Sequence, residues 1–511
     1  KASQAGRALG AVWREKRLSF ISFGFLLFFP VVVFVYFLIP QRFRIYWLLA
    51  ASYFFLMRAN PKYLLLLAAD TAVTWAGGWA VARAARKGGP AALRRKKAAA
   101  ALSLTVAFGI LFVFKYLNFF CGLFARALSF FGTSIAAAHF DLLLPIGISF
   151  YTFQSVTYVV DVYRGDVKPE KNFCKYALFV SFFPQLLSGP IEEARNMLPQ
   201  FDEVHRFDYD RARHGLLLML WGYFQKMVVA DRLGTLVAAV YDSPDKHFGL
   251  DVLVATVFFA FQIYCDFGGY SNIALGAAEV MGFRLTRNFE RPYFSKSIPE
   301  FWRRWHISLG RWFRDYLYIP LGGNRCSKPR HYFNLLVVFM VCGLWHGAAL
   351  NFIIWGALHG LYQVVGLLLK PAKRRAEHAL GLREESLPVR FYRAFATFVL
   401  VDFAWIFFRA KTFHGALTLI RNLFRFDPAA FVNGSLLNLG LNAPELWAAL
   451  AGIAAVLGID LLGRNRDLRA ALLSRGTACR WAVYLSAALV VLIFGTYGPL
   501  RGAGQFIYSQ F

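Results

Sequence analysis

Apolar positions in this chain fall in long blocks, and polar positions gather in short gaps between them. Blocks at 20–40, 45–57, 62–82, 98–118, 213–230, 249–276, 333–369, 391–408, 445–462 and 480–498 predict membrane helices. Shorter apolar pieces at 119–131, 142–160 and 176–190 predict short spans or re-entrant or interfacial segments. Together these give about ten to thirteen membrane elements. The polar gaps 83–97, 191–212 and 370–390 are loop-sized, so no soluble domain is expected, and no fixed-period repeat is visible. The block 333–369 is too long for one straight crossing. At about 1.5 Å per residue it overshoots a bilayer of about 30 Å by over half. It therefore predicts two helices, or one sharply broken near Gly343–Gly347.

Composition supports this reading. With 58% hydrophobic and 18% aromatic residues in 511, a soluble globule is excluded. The formal charge of +28 raises nucleic acid as a partner. However, Lys and Arg sit in the short gaps, where an anionic membrane surface and the positive-inside bias account for them, so no nucleic-acid partner is expected. The six cysteines are scattered without paired spacing, which points to neither a disulfide framework nor a zinc site. The first block lacks a small-residue cleavage site and reads as a retained span. Residues 1–19 are expected to be an N-terminal extension, and 20–511 a single membrane domain. Arg83, Arg86, Lys87, Arg94, Arg95, Lys96 and Lys97 form the strongest cytoplasmic marker. Counting back three spans sets the N-terminus outside, against the preference of Arg7, Arg14, Lys16 and Arg17. The first twenty residues are read as an extension that follows the later topology.

The chemistry concentrates between Arg291 and Gly360. Strongly polar groups inside a membrane-length apolar run are costly and are functional candidates by default. At about 100° per residue, Trp302, His306, Leu309 and Phe313 share one helical face, opposite Arg304, Arg311 and Arg314. That predicts an amphipathic interfacial helix. His306 on such a helix is either a packed ring or a site residue. His346 and His359 lie in Gly343-Leu-Trp-His-Gly347 and Gly356-Ala-Leu-His-Gly360, two spacings that let helix backbones approach closely. Thirteen residues separate the histidines, so they share a cavity only if the helix breaks between them. Asn351, Trp355 and His359 form an i, i+4, i+8 stripe, in which His359 reads as structural. His346, flanked by glycines, has room for another molecule beside it, and a neutral imidazole suits a general base.

Other motifs carry less. His205-Arg-Phe-Asp-Tyr-Asp210 matches an HxxxxD acyltransferase pattern but has no basic pocket around it. GxSxG, Walker, HExxH and Rossmann patterns are absent from the sequence. Asp70, Lys115, Lys226, Asp266 and Asp402 lie in apolar blocks, where they pair with one another or line a water path. A proton-coupled transporter or flippase would use such groups too.

Read together, several blocks resemble the membrane-bound O-acyltransferases, and within them the branch of the alginate O-acetyltransferase membrane subunit. They are LPIGISFYTFQSVTYVVDVYRGD (144–166), FFPQLLSGPI (182–191), FQKMVVADRL (224–233), the run FQIYCDFGGYSNIALGAAEVMGFRLTRNFERPYFSKSIPEFWRRWHISLGRWFRDYLYIPLGGNR (261–325), GLWHGAALNFIIWGALHG (343–360) and VDFAWIFFRA (401–410). They span most of 144–410. The resemblance implies an all-α polytopic membrane protein, a ring of tilted transmembrane helices with re-entrant and interfacial helices around a central tunnel. It implies that His346 is the essential catalytic histidine and His306 a second one. Asn351, Trp345 and Trp305 are the candidate substrate-binding residues. It further implies acetyl-CoA as donor substrate rather than bound cofactor, and no metal. The setting it implies is a bacterial inner (plasma) membrane, with an extracytoplasmic relay protein and a cell-envelope polysaccharide acceptor. The family's teichoic-acid D-alanylation proteins, which draw on an acyl carrier protein, mark the alternative donor. His346 is expected near mid-membrane beside a tunnel, with His306 at the wall of the same cavity.

Overall fold

The computed structural model describes residues 18–497, apart from 87–88, 134–135, 137, 143–144, 188, 382, 384, 426–427, 429–433 and 465. Most of the expected N-terminal extension lies outside the described residues, as do the first residue of the 144–166 block and Ser188. Among the described residues the chain is helical, without a strand. It is an all-α polytopic membrane protein. Seven helical runs are long and apolar enough to cross a membrane: Lys62–Arg86, Ala91–Phe130, Leu250–Met281, Leu350–Ala379, Leu387–Arg409, Ala443–Leu462 and Thr477–Phe494. Phe23–Leu38 is a shorter apolar helix.

Two compact units are present, one running up to Leu216 and including Ile273–Thr286, the other comprising Leu217–Asn272 and Arg287 onward. In the first, the Lys62–Arg86 helix packs against Pro90–Leu111 and Ile148–Arg164. Small residues make this possible: a Cβ on Gly78 would come within 2.6 Å of the Tyr158 ring. Two buried hydroxyls here find polar partners. The Ser155 hydroxyl donates to Asp70 at 2.7 Å, and the Tyr176 hydroxyl donates to Thr74 at 2.8 Å. The apolar blocks 98–118 and 119–131 do not separate here. They form one helical run in which a π-segment, Phe112–Tyr116, takes up the irregularity and carries Lys115. Buried Glu192 fastens the start of the Ala194–Gln200 helix, accepting from the Thr286 N–H and, at 2.7 Å, from the Asn196 amide.

The expected 213–230 span, which enters the second unit at Leu217, does not end at Ala230. A π-segment, Phe224–Ala230, leads straight into the Asp231–Tyr241 helix. That segment holds Lys226, whose ammonium contacts Asp266 and lies 2.8 Å from Asp231, all three buried. The 333–369 block is two helices, Lys328–His346 and Leu350–Ala379, so the predicted break is real and falls at Gly347–Ala349. The second of these continues through Pro371 into the polar gap read as loop.

Candidate active site

His346 is the last residue of its helix, 3% exposed. The chain extends for three residues and turns helical again at Leu350. Glycine is required at this hairpin because the two helices touch backbone to backbone. A Cβ on Gly343 would collide with the Phe352 carbonyl, one on Gly347 with the Phe352 ring, and one on Gly356 with the Phe339 carbonyl. The imidazole of His346 sits among aromatic rings: Trp345 at 4.9 Å, Trp355 at 5.1 Å and Phe408 at 5.2 Å between centroids.

His306 also meets Trp345, at 6.0 Å, so one indole contacts both imidazoles. His306 does not lie on a continuous amphipathic helix. One helix, Ile298–Arg304, stops before it, and another, Ile307–Phe313, starts after it. His306 itself has φ 45°, in the left-handed region that a side chain other than glycine's seldom occupies. Arg291 is the other non-glycine residue with positive φ among those described, at 50°. The turn is pinned by the non-helical segment 288–290, just ahead of Arg291. Ile307 N–H donates to the Asn288 carbonyl at 2.9 Å, and Glu290 N–H to the Arg304 carbonyl at 2.9 Å. The Ser308 hydroxyl donates to the Asn288 side-chain oxygen at 2.7 Å. The expected shared face of Trp302 and His306 is thereby lost: the backbone reverses hand between them. Complete burial keeps the His306 imidazole neutral, its pKa pushed down to about 3.

Asn351, Trp355 and His359 are buried together, as their spacing predicts. The break at 347–349 brings both hairpin histidines onto one indole, with His359 5.0 Å from Trp355. The Trp302 indole N–H donates to His359 Nδ1 at 3.2 Å, which assigns the proton of a neutral ring to Nε2. Both amide hydrogens of Asn351 go to carbonyls at the end of the next helix, Phe407 at 3.1 Å and Ala410 at 2.7 Å. Trp305 is 1% exposed and packs against Trp405, Phe289 and Phe301. His205 bonds the Gln200 carbonyl at 2.9 Å and meets the Phe283 ring edge to face, while Asp210 pairs with Arg213, so the HxxxxD motif forms no dyad. Asn288 went unnoticed in the sequence. Its signal, an asparagine eighteen residues ahead of the histidine, exists only in the tertiary pairing. Among the described residues no His, Cys, Asp and Glu group could hold a metal ion.

The chain is similar to known proteins. Residues 169–399 match the family described as MBOAT, membrane-bound O-acyltransferase family. The chain is 38% identical over 402 residues to a probable alginate O-acetylase of Pseudomonas aeruginosa, covering 78% of this chain and 73% of that protein. It is 33% identical over 406 residues to a peptidoglycan O-acetyltransferase of Helicobacter pylori, covering 74% and 73%. A teichoic acid D-alanyltransferase of Streptococcus thermophilus is 29% identical over 254 residues, covering 47% and 60%. This chain belongs to the membrane-bound O-acyltransferase family.

Proposed function

We propose that this acyltransferase takes an acetyl group from acetyl-CoA on the cytosolic side of a bacterial inner membrane. It passes the group through a central tunnel toward an envelope polysaccharide, by way of a relay protein on the outer face. The reading rests above all on His346, a buried imidazole at a helix break, set among aromatic rings and one indole away from a second buried histidine.

In this reading His346 is the general base. It takes the proton from the acceptor hydroxyl as that oxygen attacks the thioester carbonyl; the new C–O bond forms, the C–S bond breaks, and the proton leaves with the thiolate sulfur. His306, neutral through burial, supplies a hydrogen bond to the developing oxyanion. Asn351, Trp345 and Trp305 shape the wall, Asn351 by tying the hairpin to the end of the Leu387–Arg409 helix.

The test is purified protein in liposomes with labelled acetyl-CoA inside and polysaccharide outside, with and without the relay protein. Acetylated polymer that depends on His346 and on the relay protein is the expected result. Full acetylation by this chain alone would remove the relay. Wild-type turnover by His346→Ala would remove the base, and transfer only from a charged carrier protein would replace the donor.

A further inference from the structure

A cavity of about 370 Å³ opens beside the two short helices that flank His306, within the size range of ligand sites. Neither His306 nor His346 is among its lining residues. One side is apolar: Trp302, Val338, Phe339 and Cys342. Besides Arg314, the lining carries Arg303 and Arg311. Neither guanidinium has a carboxylate partner among the described residues, whereas Arg304 is paired with Glu300 and Arg314 with Asp315. On the helix that supplies the apolar wall, Phe333, Met340 and Val341 stand exposed, a face suited to hydrocarbon.

We propose that this cavity binds an anionic phospholipid. The phosphate is held by Arg303 and Arg311, whose planar forks match phosphate oxygens, and the start of an acyl chain lies along Val338, Phe339 and Cys342. A free phosphate would leave the apolar side unused, and a zwitterionic headgroup would offset the charge of the two arginines with its own cation. The bound lipid braces the segment that carries His306, because Trp302 belongs both to the cavity wall and to the hydrogen bond with His359.

Native mass spectrometry of the full-length protein, titrated in detergent with phosphatidylglycerol or phosphatidylcholine, tests this. Wild type should retain phosphatidylglycerol in preference. Arg303→Gln with Arg311→Gln should weaken that retention by about tenfold or more, since each lost charge-assisted contact is worth a similar factor. A second variant keeps the arginines. A Cβ at Gly310, another lining residue, would meet only the Trp302 carbonyl oxygen, at 3.4 Å. Gly310→Leu should therefore fold, fill the cavity and also lose the lipid. Equal retention of the two lipids by wild type, or undiminished phosphatidylglycerol on both variants, would overturn the proposal. So would one-for-one displacement of phosphatidylglycerol by coenzyme A, which would assign the arginines to the phosphates of the donor.

Discussion

Asn288 holds Ser308 by its hydroxyl at 2.7 Å, and so fixes the left-handed turn at His306 between them. Asn288→Ala leaves a buried hydroxyl and a main-chain N–H without their acceptor, at a cost of about 1–3 kcal/mol. The expected kinetic signature is a fall in kcat with little change in the KM for the donor, because the change moves an imidazole rather than a binding surface. A variant with wild-type kcat would show that the turn does not position His306.

The same turn reverses the usual order of two small residues. In a helix interior, glycine is about 1 kcal/mol worse than alanine. At φ 45° alanine carries a left-handed penalty of about 1–2 kcal/mol that glycine escapes. His306→Gly should therefore unfold at a higher temperature than His306→Ala, while both lose acyl transfer. Thermal denaturation in detergent decides it, and the opposite order would mean the backbone relaxes out of the left-handed region.

Neutral His306 also sets a pH dependence. Its folded pKa, about 3, lies below that of an unfolded histidine near 6.5. The unfolded chain therefore takes up the proton first. The stability contribution is fully present above about pH 6.5 and is lost as pH falls toward the folded value. Acid should lower the Tm of the wild type more steeply than that of His306→Gln. Parallel Tm profiles for the two proteins would contradict a neutral buried ring.

The hairpin glycines give a paired comparison. Gly343→Ala and Gly356→Ala drive a methyl group into a facing carbonyl and should cost about 1–3 kcal/mol each. On the same helix as Gly356, an added Cβ at Gly366 meets nothing within 4 Å. Gly366→Ala should stabilise by up to about 1 kcal/mol through helix propensity. Denaturation of the three variants checks the geometry of the break, and equal effects would refute it.

Lys226 answers two buried carboxylates, Asp231 at 2.8 Å and Asp266. Lys226→Met should destabilise by about 3–5 kcal/mol, because it strands charge in an apolar interior. Adding Asp231→Asn and Asp266→Asn should recover most of that loss. No recovery in the triple variant would show that the lysine acts through packing instead.

Block length was enough to read most helices from the sequence, and the over-long 333–369 run revealed its own break. His346 could be singled out because glycines on both sides of a histidine in an apolar block are a local pattern. The segment around His306 misled for a physical reason. Periodicity assumes one handedness of backbone, and nothing within Arg303–Ser308 signals that His306 reverses it. The information sits at Asn288, far along the chain. The junction at 118–119 misled in a different way: the blocks on its two sides belong to one helical run, Ala91–Phe130, longer than a single crossing needs. Asn351 was legible as a buried polar residue, but its bonds to Phe407 and Ala410 depend on a helix that follows much later.

The glycine-lined hairpin has a consequence for the order in which the protein assembles. Its contacts join neighbours in sequence, Gly343 with Phe352 and Gly356 with Phe339, so closing it costs little chain entropy. The pair can zip during synthesis, as soon as Leu350–Ala379 has emerged. Trp405 and Phe408 come from the helix made next, and Phe408 closes one side of the His346 ring. The imidazole is therefore seated on its scaffold first and enclosed afterwards. Arrest of the nascent chain just before Leu387 should leave it accessible from that side.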